Sequence, residues 1–445
     1  MQRKLCQFKP VSISLSPNTE KDDVWLAFKL VFKPWQWKRG KSAEELENEF
    51  KKYLGIRHAF AFNSGRSALL AILNSLGLNQ GDEVLTQAYT CNAAVNPIRW
   101  AGLKLNYVDC DENDFNIDIE DLKRKITPQT KVIMVQHTFG LPADMDKILE
   151  IMRQNNLILI EDCAHSLGAE YSPPHQTRTS TKDAKSGASQ SLLWCGGKGQ
   201  KVGTFGKAAF FSFGRDKIIS SVYGGMAVTN DDNLAAKMKE FQQKTKYPSC
   251  CWVFQQLLHP ILMNWLIIPT YSILGKYLLV LFQCLGIMSK AVHYKEKRGE
   301  KPGYFPKKMP NVLALLAQNQ IRKLERFNAH RQEIANFYYE ELKNHSFELP
   351  KIYPERKNIF LRFTVKNPNA HQIIKNAWRK NILIGDWYTS PIAPPDTKME
   401  KIGYTLGTCP KAEKLAETTF NLPTHINISK NEAQKVIQYL MNFSR

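Results

Sequence analysis

The chain has 445 residues, of which 43% are hydrophobic, and a formal net charge of +20. This length and composition predict a globular protein of two or three domains. The basic balance favours an anionic partner, whether nucleic acid, an acidic membrane surface or a phosphorylated substrate. Nine scattered cysteines, without a CxxC pair or zinc-ligand spacing, argue against a metal site and predict reduced thiols in the cytoplasm. The first residues lack the continuous apolar core of a signal peptide, so we expect no secretion.

The first 245 residues predict a short lead-in and then one large domain. After the polar, then aromatic residues 1–40, apolar residues recur at helical spacing from Ser42 and stop at Gly55, which predicts a helix. Short apolar runs then alternate with helical stretches; the runs are HAFAF, EVLTQAY, LNYVDCD, KVIMVQ, LILIED, KAAFFSF and GGMAVT. This alternation predicts an α/β domain with a mostly parallel sheet. The stretch 171–204, rich in Ser, Thr, Lys and Gly, predicts a long inserted loop.

A second insertion, residues 246–300, is different in character because its segment 251–292 is almost continuously apolar. The segment is about twice the ~20 residues of one membrane span, but Pro260, Pro269 and Lys276 interrupt it. Basic flanks on both sides would keep both ends on the cytoplasmic side, which predicts a hairpin or interfacial helices at the inner face of a membrane with anionic lipids. A buried dimer interface or a substrate lid is the alternative.

The remaining chain predicts a helix and a small domain. An amphipathic pattern follows Pro310 and predicts a long connecting helix. The predicted organisation is a lead-in (1–40), a large domain (41–245), an apolar insertion (246–300), a connecting helix (301–346) and a small α+β domain (347–445).

A Ser-Gly turn joins the predicted strand HAFAF directly to a helix. Free backbone N–H groups at a helix start, together with the helix dipole, form a seat for phosphate. Gly65 lets the backbone approach an anion, and Ser64 and Ser67 offer hydroxyls. An ordinary capped helix would show the same residues.

The apolar run LILI ends in Glu161 and Asp162, at the carboxyl end of a predicted strand. Ligands bind beyond these ends in open α/β sheets. A carboxylate there can pair with a protonated ring nitrogen and keep the ring electron-withdrawing; the alternative is a helix-capping Asp. His165, three residues later, can stack on a ligand or serve a structural role.

Lys217 follows another buried strand and precedes the segment SSVYGG. A lysine in a partly apolar, cation-rich setting has a lowered pKa and attacks carbonyls as a neutral amine. A solvated loop lysine is the alternative, because the chain has 61 Lys plus Arg residues. The order and spacing of the turn, the carboxylate and the lysine point to one site more strongly than any of them alone.

In this order the blocks resemble the DegT/DnrJ/EryC1/StrS family of pyridoxal-phosphate-dependent sugar aminotransferases. The resemblance runs from about Gly40 to the C-terminus, apart from the two anomalous segments, and rests on GDEVLTQAYTCNAAV, HTFGLPADMD, IEDCAHSLGAE, FFSFGRDKIISSVYGGM and GTCPKAEKLAETTFNLP. It implies fold type I of the pyridoxal-phosphate enzymes, which is aspartate aminotransferase-like, with a large domain containing a mostly parallel mixed sheet and a small C-terminal α+β domain. It also implies a homodimer, because family active sites are completed across a subunit interface.

The resemblance assigns the cofactor-binding positions to Ser64, Gly65, Arg66, Tyr89, Cys91, Asp162, His165, Ser212 and Lys217. Lys217 would carry pyridoxal 5'-phosphate as a Schiff base and shuttle the proton, and Asp162 would pair with the pyridine nitrogen; these two are the catalytic residues. Ser212 lies near the phosphate, and Arg66 stands where most members have Thr. An aromatic side chain should stack on the cofactor, with Tyr89 the candidate and Cys91 where many members have a second aromatic.

Two stretches depart from the family pattern. Where many members have Asn-x-Arg reaching into the neighbouring site, this chain has GYFPKKMPN, so Lys307 or Lys308 would replace the arginine as a substrate-binding residue. Before the lysine, Gly214-Arg215-Asp216 replaces the commoner His-Pro-Thr.

The implied activity moves an amino group from an amino acid, typically glutamate, to a nucleotide- or lipid-linked keto-sugar for cell-surface polysaccharide or lipopolysaccharide synthesis. Lys217 favours this reaction over that of related sugar dehydratases, which have His at this position. A dehydratase or another pyridoxal-phosphate enzyme of the same fold remains the alternative. A non-enzymatic membrane-associated or nucleic-acid-binding protein is a third, although no nucleic-acid motif is present and we expect no nucleic acid partner.

Overall fold

The computed structural model describes residues 9–172 and 199–443. Its strands are β1 Val11–Ser12, β2 His58–Phe62, β3 Glu83–Gln87, β4 Thr90–Cys91, β5 Lys104–Val108, β6 Thr130–Gln136, β7 Ile158–Asp162, β8 Glu170–Tyr171, β9 Gln200–Lys201, β10 Ala208–Ser212, β11 Gly225–Thr229, β12 Arg356–Lys357, β13 Arg362–Lys366, β14 Ile382–Leu383, β15 Ile392–Ala393 and β16 Thr419–Pro423. Its helices are α1 Lys21–Val31, α2 Ser42–Leu54, α3 Gly65–Ser75, α4 Asn92–Trp100, α5 Ile119–Lys125, α6 Met145–Gln154, α7 Asp232–Lys244, α8 Cys250–Leu262, α9 Lys276–Cys284, α10 Asn311–Ile321, α11 Leu324–Leu342, α12 Ala370–Arg379, α13 Pro410–Thr418 and α14 Lys430–Leu440.

A seven-stranded sheet in the order β2-β11-β10-β7-β6-β3-β5 forms the centre of the large domain. Only β11 is antiparallel to its neighbours within this sheet. Along β6, Val132 and Met134 pack with α3 on one side, whereas Ile133 and Val135 pack with α6 on the other. Burial on both faces explains the continuous apolar runs, and the predicted α/β fold with a mostly parallel mixed sheet is confirmed.

The shared direction of six strands places their carboxyl ends along one edge of the sheet. Asp162 at the end of β7 is the register partner of Gln136 at the end of β6 and of Phe210 near the end of β10. Ser64 follows β2, and Ser212 ends β10. The predicted cofactor-binding residues at these strand ends therefore lie along the edge where α/β sheets bind ligands.

The C-terminal part contains the antiparallel pair β13 and β16, which packs with α12, α13 and α14 in one hydrophobic cluster. The predicted connecting helix is two helices, α10 and α11. The break falls at Arg322 and Lys323, where the Lys323 ammonium contacts Asp22 at 2.7 Å and Asp23 at 2.9 Å.

The lead-in contains α1, a helix that the sequence patterns did not predict. It begins with a capping box, in which the Glu20 N–H donates to Asp23 Oδ2 at 2.8 Å. Its buried residues Ala27 and Leu30 pack in the same cluster as Val253 and Leu257 of α8. The lead-in and the apolar insertion are therefore parts of one packed region.

The apolar segment forms α8, the π-helical turns Met263–Ile267 and Tyr271–Gly275, and α9. Pro260 lies inside α8 and Pro269 at the bend between the two halves. Among the described residues no single helix is long and apolar enough to cross a membrane, and one pair passes on length and composition only when its halves, bent by 110°, are taken together. Membrane contact stays a prediction. Residues 173–198 of the predicted loop lie outside the described residues.

Candidate active site

A cavity of about 800 Å³, counted to its open mouth, lies at the carboxyl edge of the sheet. The predicted cofactor residues on its wall are Ser64, Gly65, Arg66, Cys91, Asp162, His165, Ser212 and Lys217. Sheet geometry alone brings the strand-end residues together, whereas Lys217 arrives on the turn after β10. Eight of the nine predicted cofactor positions therefore line this one cavity, and only Tyr89 does not.

The start of α3 has the geometry expected of the phosphate seat that the Ser-Gly turn suggested. Ser64 Oγ caps the helix by accepting the Ser67 N–H at 3.1 Å. A Cβ on Gly225 would lie only 2.3 Å from the Gly65 nitrogen, so glycine allows this helix end to approach the sheet closely. Ser67 is fully buried and donates to Asn63 Oδ1 at 2.7 Å. Its hydroxyl does not reach the cavity, contrary to the expectation from the turn.

Arg66 is neutralised within the chain. Its Nε lies 2.5 Å from the fully buried Glu296 carboxylate, and its guanidinium lies 5.2 Å from the Phe305 ring centre. Burial opposes the charge on Arg66, but the adjacent carboxylate outweighs this effect and raises the pKa. Arg66 thus lines the cavity with its charge already paired.

Asp162 is a buried carboxylate whose charge the chain compensates only in part. One oxygen accepts the Ala164 N–H at 3.0 Å. Burial raises the pKa of Asp162 to about 6, against the lowering effects of that hydrogen bond and of the charges on Lys217 and His137. A cationic ring nitrogen placed here would supply the missing countercharge.

Lys217 is held by its backbone, because its N–H donates to the Gly214 carbonyl at 3.2 Å and its own carbonyl accepts from the Asn18 side chain. Its Nζ lies 5.0 Å from the Trp387 ring centre. Burial lowers the pKa of Lys217, although the nearby Asp216, Cys91 and Asp162 oppose that shift. The amine is therefore fixed at its base and more easily neutralised than a solvated lysine.

His165 belongs to an aromatic stack on one side of the cavity. Its ring lies between Phe139, at 5.8 Å, and Trp387, at 5.7 Å between ring centres. Burial lowers the pKa of His165 well below its usual value, so the ring is neutral. The Phe139 N–H donates to His165 Nδ1 at 3.4 Å, which assigns the ring hydrogen to Nε2.

The structure does not bring Tyr89 to the cavity. This side chain is fully buried, its hydroxyl contacts Thr419, and its ring packs edge-on against Tyr388 at 5.5 Å. Trp387 and Tyr388, which contact His165, lie on the wall instead. No local signal identifies them, because they come from the C-terminal part and reach the cavity only when that part docks on the sheet.

Cys91 does line the cavity, and it is the N-cap residue of α4. Its Sγ accepts the Ala93 N–H at 3.5 Å, and burial raises the pKa of the thiol. Other wall residues that the motif analysis missed are Gln136, Arg215, Asp216 and Tyr223. Arg215 and Asp216 lie in the stretch that departs from the family pattern, which was the available signal.

Lys307 and Lys308 lie beside the phosphate turn but do not line the cavity. The Lys307 N–H donates to Asn63 Oδ1 at 3.2 Å, and the Asn63 N–H donates to the Lys307 carbonyl at 3.0 Å. Lys308 Nζ lies 5.7 Å from the Tyr247 ring centre. Their role toward substrate stays a prediction.

These residues fit the cofactor that the sequence resemblance implies. The close approach of Gly225 to the start of α3 leaves backbone N–H groups for a phosphate. Asp162 offers a buried carboxylate to a ring nitrogen, and Lys217 offers an amine to an aldehyde. All three features surround the same cavity.

Comparisons with known proteins agree with this geometry. The profile of the DegT/DnrJ/EryC1/StrS aminotransferase family matches residues 19–250 and 275–441. The chain is 28% identical to GDP-perosamine synthase of Caulobacter vibrioides over 91% of each chain. It is 24% identical to dTDP-3-amino-3,4,6-trideoxy-alpha-D-glucose transaminase of Micromonospora megalomicea over 96% of each.

Solved structures share the fold. Helicobacter pylori PseC, an aminotransferase involved in the biosynthesis of pseudoaminic acid, has a TM-score of 0.70 at 19% identity and covers 98% of this chain and 99% of its own. S. venezuelae DesV has a TM-score of 0.69 at 22% identity, with 96% and 95% covered. With family matches on both sides of residues 251–274, this chain belongs to the DegT/DnrJ/EryC1/StrS aminotransferase family, whose cofactor is pyridoxal phosphate.

Proposed function

We propose that the protein transfers an amino group from an amino acid, glutamate in the typical family member, to the keto carbon of a nucleotide- or lipid-linked sugar. The observation that carries the proposal is the convergence of Lys217, Asp162 and the Ser64–Gly65 turn on one cavity. Relatives named for GDP- and dTDP-linked amino sugars support a sugar acceptor. The product would enter cell-surface polysaccharide or lipopolysaccharide synthesis.

The cavity residues divide the work of binding. Bound pyridoxal phosphate supplies an electron sink for the carbon next to the transferred nitrogen. The N–H groups at the start of α3 would hold its phosphate, together with Ser212. Asp162 would keep the ring nitrogen protonated, because a buried carboxylate gains most from an adjacent cation. His165 and Trp387, which stack on each other at 5.7 Å between ring centres, would form an aromatic wall beside the ring.

Lys217 both anchors the cofactor and moves a proton. Burial lowers the pKa of its amine, so more of the amine is neutral near pH 7 than in a solvated lysine. Neutral Nζ would hold the cofactor through its aldehyde, and the same amine, when free, would move the proton at the carbon that carries the transferred nitrogen. A histidine at this position cannot be attached in this way, so Lys217 favours transamination over dehydration.

Borohydride reduction of the holoenzyme followed by peptide mapping tests the assignment. We expect the reduced cofactor on the peptide that contains Lys217. The Lys217→Ala variant should give no adduct and should lose transamination by at least ~10³-fold. An adduct on another lysine, or a wild-type protein that stays colourless with pyridoxal phosphate, would contradict the proposal.

The proposed oligomer is a homodimer in which each site uses residues of the neighbouring subunit. Lys307 and Lys308 are the candidates, since they stand where many family members have a cross-subunit arginine. Their backbone contacts with Asn63 place this loop next to the phosphate turn. Neither ammonium has a carboxylate partner among the described residues, so both are free to meet an anionic group.

The proposed location includes a membrane surface, bound through the apolar segment. Large apolar side chains are exposed on α1 and its following turn and on the bent pair α8–α9; they are Trp25, Phe32, Trp35, Phe254, Trp265, Leu266, Ile273, Leu274, Tyr277, Val280, Leu281 and Leu285. Trp25 contacts Trp265 at 5.3 Å between ring centres, which makes the two groups continuous. We call this set the apolar face. Exposed apolar patches of this kind mark protein or membrane interaction sites.

Charge favours a lipid surface over a second protein. No Asp or Glu occurs between Glu240 and Glu296, whereas this stretch contains five lysines. Lys29, Lys33 and Arg39 are exposed beside the aromatic residues of the lead-in. Tryptophan rings flanked by cations are typical of segments that lie in the headgroup region of anionic membranes.

Sedimentation with phosphatidylcholine vesicles, with and without phosphatidylserine, tests the membrane proposal. We expect salt-sensitive binding to the anionic vesicles, reduced at least ~10-fold by the double variant Phe32→Ser and Trp35→Ser. These side chains are 64% and 72% exposed, so their replacement should leave folding intact. Leu406→Ser, at an equally exposed residue, is the control. Unchanged vesicle binding, or loss of self-association in place of vesicle binding, would contradict the proposal.

A further inference from the structure

A second cavity opens beyond the catalytic one and is walled by the apolar insertion. It shares Arg215, Trp387 and Tyr388 with the catalytic cavity. His259 and Met263 contribute from α8 and the following turn, and α9 and the next loop contribute further residues. His259 and Met263 lie in residues 251–274, which the family profile does not match. This part of the wall therefore lies outside the stretches that the family profile matches.

Arg215 lies at the boundary of the two cavities, and no carboxylate within the described part of the chain forms an ion pair with it. Asp216 next to it is engaged with Arg362 at 3.3 Å. The insertion supports Arg215 through the Ser289 hydroxyl, which in turn donates to Gln256 at 2.7 Å. Arg215 Nε is buried without a hydrogen-bond partner among the described residues. A cation in this position is stabilised when an anion arrives.

Arg66, in the same region, differs from Arg215 because its charge is paired within the chain. Its guanidinium is paired with Glu296 at 2.5 Å, and that carboxylate raises its pKa. Burial lowers the pKa of Arg215 instead. The two arginines line one cavity, so the contrast identifies Arg215 as the one left for a ligand.

His259 adds a second unpartnered group on the same wall. Its side chain is 6% exposed, and Nδ1 is buried without a hydrogen-bond partner among the described residues. Lys290 lines the cavity as well, and its ammonium forms no ion pair within the described part of the chain. The acids on the wall are Asp216, engaged with Arg362, and Asp386; Lys297 is paired with Asp396. Unmet hydrogen-bonding capacity and unpaired positive charge therefore concentrate at Arg215, His259 and Lys290.

We propose that Arg215, His259 and Lys290 form a seat for the diphosphate that links the substrate sugar to its carrier. The inference rests on the proposed sugar aminotransferase function. A sugar beside Lys217 extends toward Arg215, because the two cavities meet there. An amino acid donor is small enough for the inner cavity alone. Leu279, Met263 and the Pro394–Pro395 pair line the outer part, where they would contact the carrier.

Calorimetric titration of the holoenzyme with GDP and with geranyl diphosphate tests the seat. Both probes carry a diphosphate, one on a nucleoside and the other on a short prenyl chain. We expect at least one to bind, with affinity reduced ~10-fold or more by Arg215→Gln and by His259→Ala. His259→Gln, which keeps a donor, should restore most of the loss. Arg153→Gln and His345→Ala, at exposed positions away from both cavities, are the matched controls.

The outcomes separate the seat from the proposed function. Binding of GDP alone or of geranyl diphosphate alone would assign the carrier as nucleotide or lipid, and either supports the seat. Equal affinity in wild type and in both loss variants would overturn it, as would absence of binding of either probe. If Arg215→Gln lowers cofactor content instead, Arg215 serves the cofactor phosphate and the seat is again overturned. Borohydride labelling of Lys217 in each variant reports independently on the aminotransferase assignment.

Discussion

Asp162 has fewer partners than two other buried acids of the chain. Asp114 is paired with Arg356, and Asp109 accepts three backbone N–H groups. Asp162 accepts one backbone N–H and forms no ion pair among the described residues. A buried carboxylate left in this state costs stability when it is ionised. We therefore expect ionised Asp162 to destabilise the folded protein until a cationic ring nitrogen binds beside it.

The pH dependence of the cofactor-free protein tests this view. Burial raises the pKa of Asp162 from 3.8 to about 6, so the carboxyl is protonated in both folded and unfolded states below pH ~4. Between pH ~4 and ~6 the unfolded chain loses this proton while the folded state keeps it, so stability falls by on the order of 3 kcal/mol and then levels off. Asp162→Asn should not show this fall. Urea unfolding of both apoproteins from pH 4 to 8 measures it.

Cofactor provides the control for the same pair of proteins. Pyridoxal phosphate should stabilise the wild type more than Asp162→Asn at pH 8, because only the wild type offers an anion to the ring nitrogen. Parallel pH curves for the two apoproteins would show that Asp162 is solvated. Equal stabilisation by cofactor would show that it does not face the ring.

The sequence could predict which residues reach the site when those residues lie at or just after the ends of strands. Asp162 and Ser212 end strands whose apolar runs are unmistakable, and Lys217 follows one of them directly. Trp387 and Tyr388 could not be found, because their contact with His165 depends on how the C-terminal part docks. Tyr89 was placed at the cavity by resemblance alone, and the structure positions it behind Tyr388.

At the scale of elements, the approach of α3 to β11 determines whether the phosphate seat can form. A Cβ at Gly225 would lie 2.3 Å from the Gly65 nitrogen and 2.4 Å from the Ser64 carbonyl carbon. Both are backbone atoms, which cannot rotate away as a side chain can. The helix would have to move off the sheet.

Gly225→Ala should therefore lower cofactor affinity and destabilise the protein by ~2 kcal/mol or more. Fluorescence titration with pyridoxal phosphate and urea unfolding measure the two effects. Gly303→Ala is the matched control, because a Cβ at Gly303 meets no atom within 4 Å, and we expect a change below ~0.5 kcal/mol. Wild-type behaviour of Gly225→Ala would mean that the helix start is not held against the sheet.

The ion pair between α3 and the turn after the apolar segment gives a second prediction at this scale. Glu296→Gln leaves the Arg66 cation without its carboxylate in a buried setting, and we expect a loss of ~3 kcal/mol. Adding Arg66→Thr, the residue common in the family, should restore part of the loss, since the unpaired charge is then gone. Urea unfolding of the two single variants and the double variant measures the coupling. Additive losses would contradict the pairing.

The elements that could be predicted are those with strong periodicity. The strands of the central sheet appear where apolar runs predicted them, because burial on both faces leaves little room for polar residues. The helix α1 was missed since its aromatic residues are partly exposed and mask the pattern, although Glu20 and Asp23 form a capping box. The connecting helix was predicted as continuous because no Gly or Pro marks the break at Lys323.

At the scale of the whole molecule, the apolar segment contributes to two different surfaces. Its outer side carries the apolar face, and its inner side carries His259 and Leu279 on the second cavity. A lipid-linked substrate and a membrane-bound enzyme would use both sides at once. The sequence predicted an unusual segment here but could not assign its inner side, because the cavity forms where α8 and α9 meet residues distant in sequence, among them 215–216 and 386–395.

The proposed dimer makes a prediction that depends on both subunits. A Lys217→Ala subunit lacks the amine but keeps Lys307 and Lys308, whereas a Lys307→Ala, Lys308→Ala subunit has the reverse defect. If the two lysines act on the neighbouring site, a mixed dimer contains one intact site. Random exchange makes half of the dimers mixed, so about a quarter of wild-type activity should return.

Transamination assays before and after subunit exchange measure this recovery, with each variant alone as the baseline. Circular dichroism and borohydride labelling of Lys217 in the double variant establish that it is folded and binds cofactor. Within one chain the 307–308 loop already contacts Asn63 beside the phosphate turn, so action on the same subunit's site is the competing geometry. That geometry allows no recovery on mixing, because the subunit with Lys217 would still lack its own lysines. Recovery therefore requires that each site be completed by the neighbouring chain.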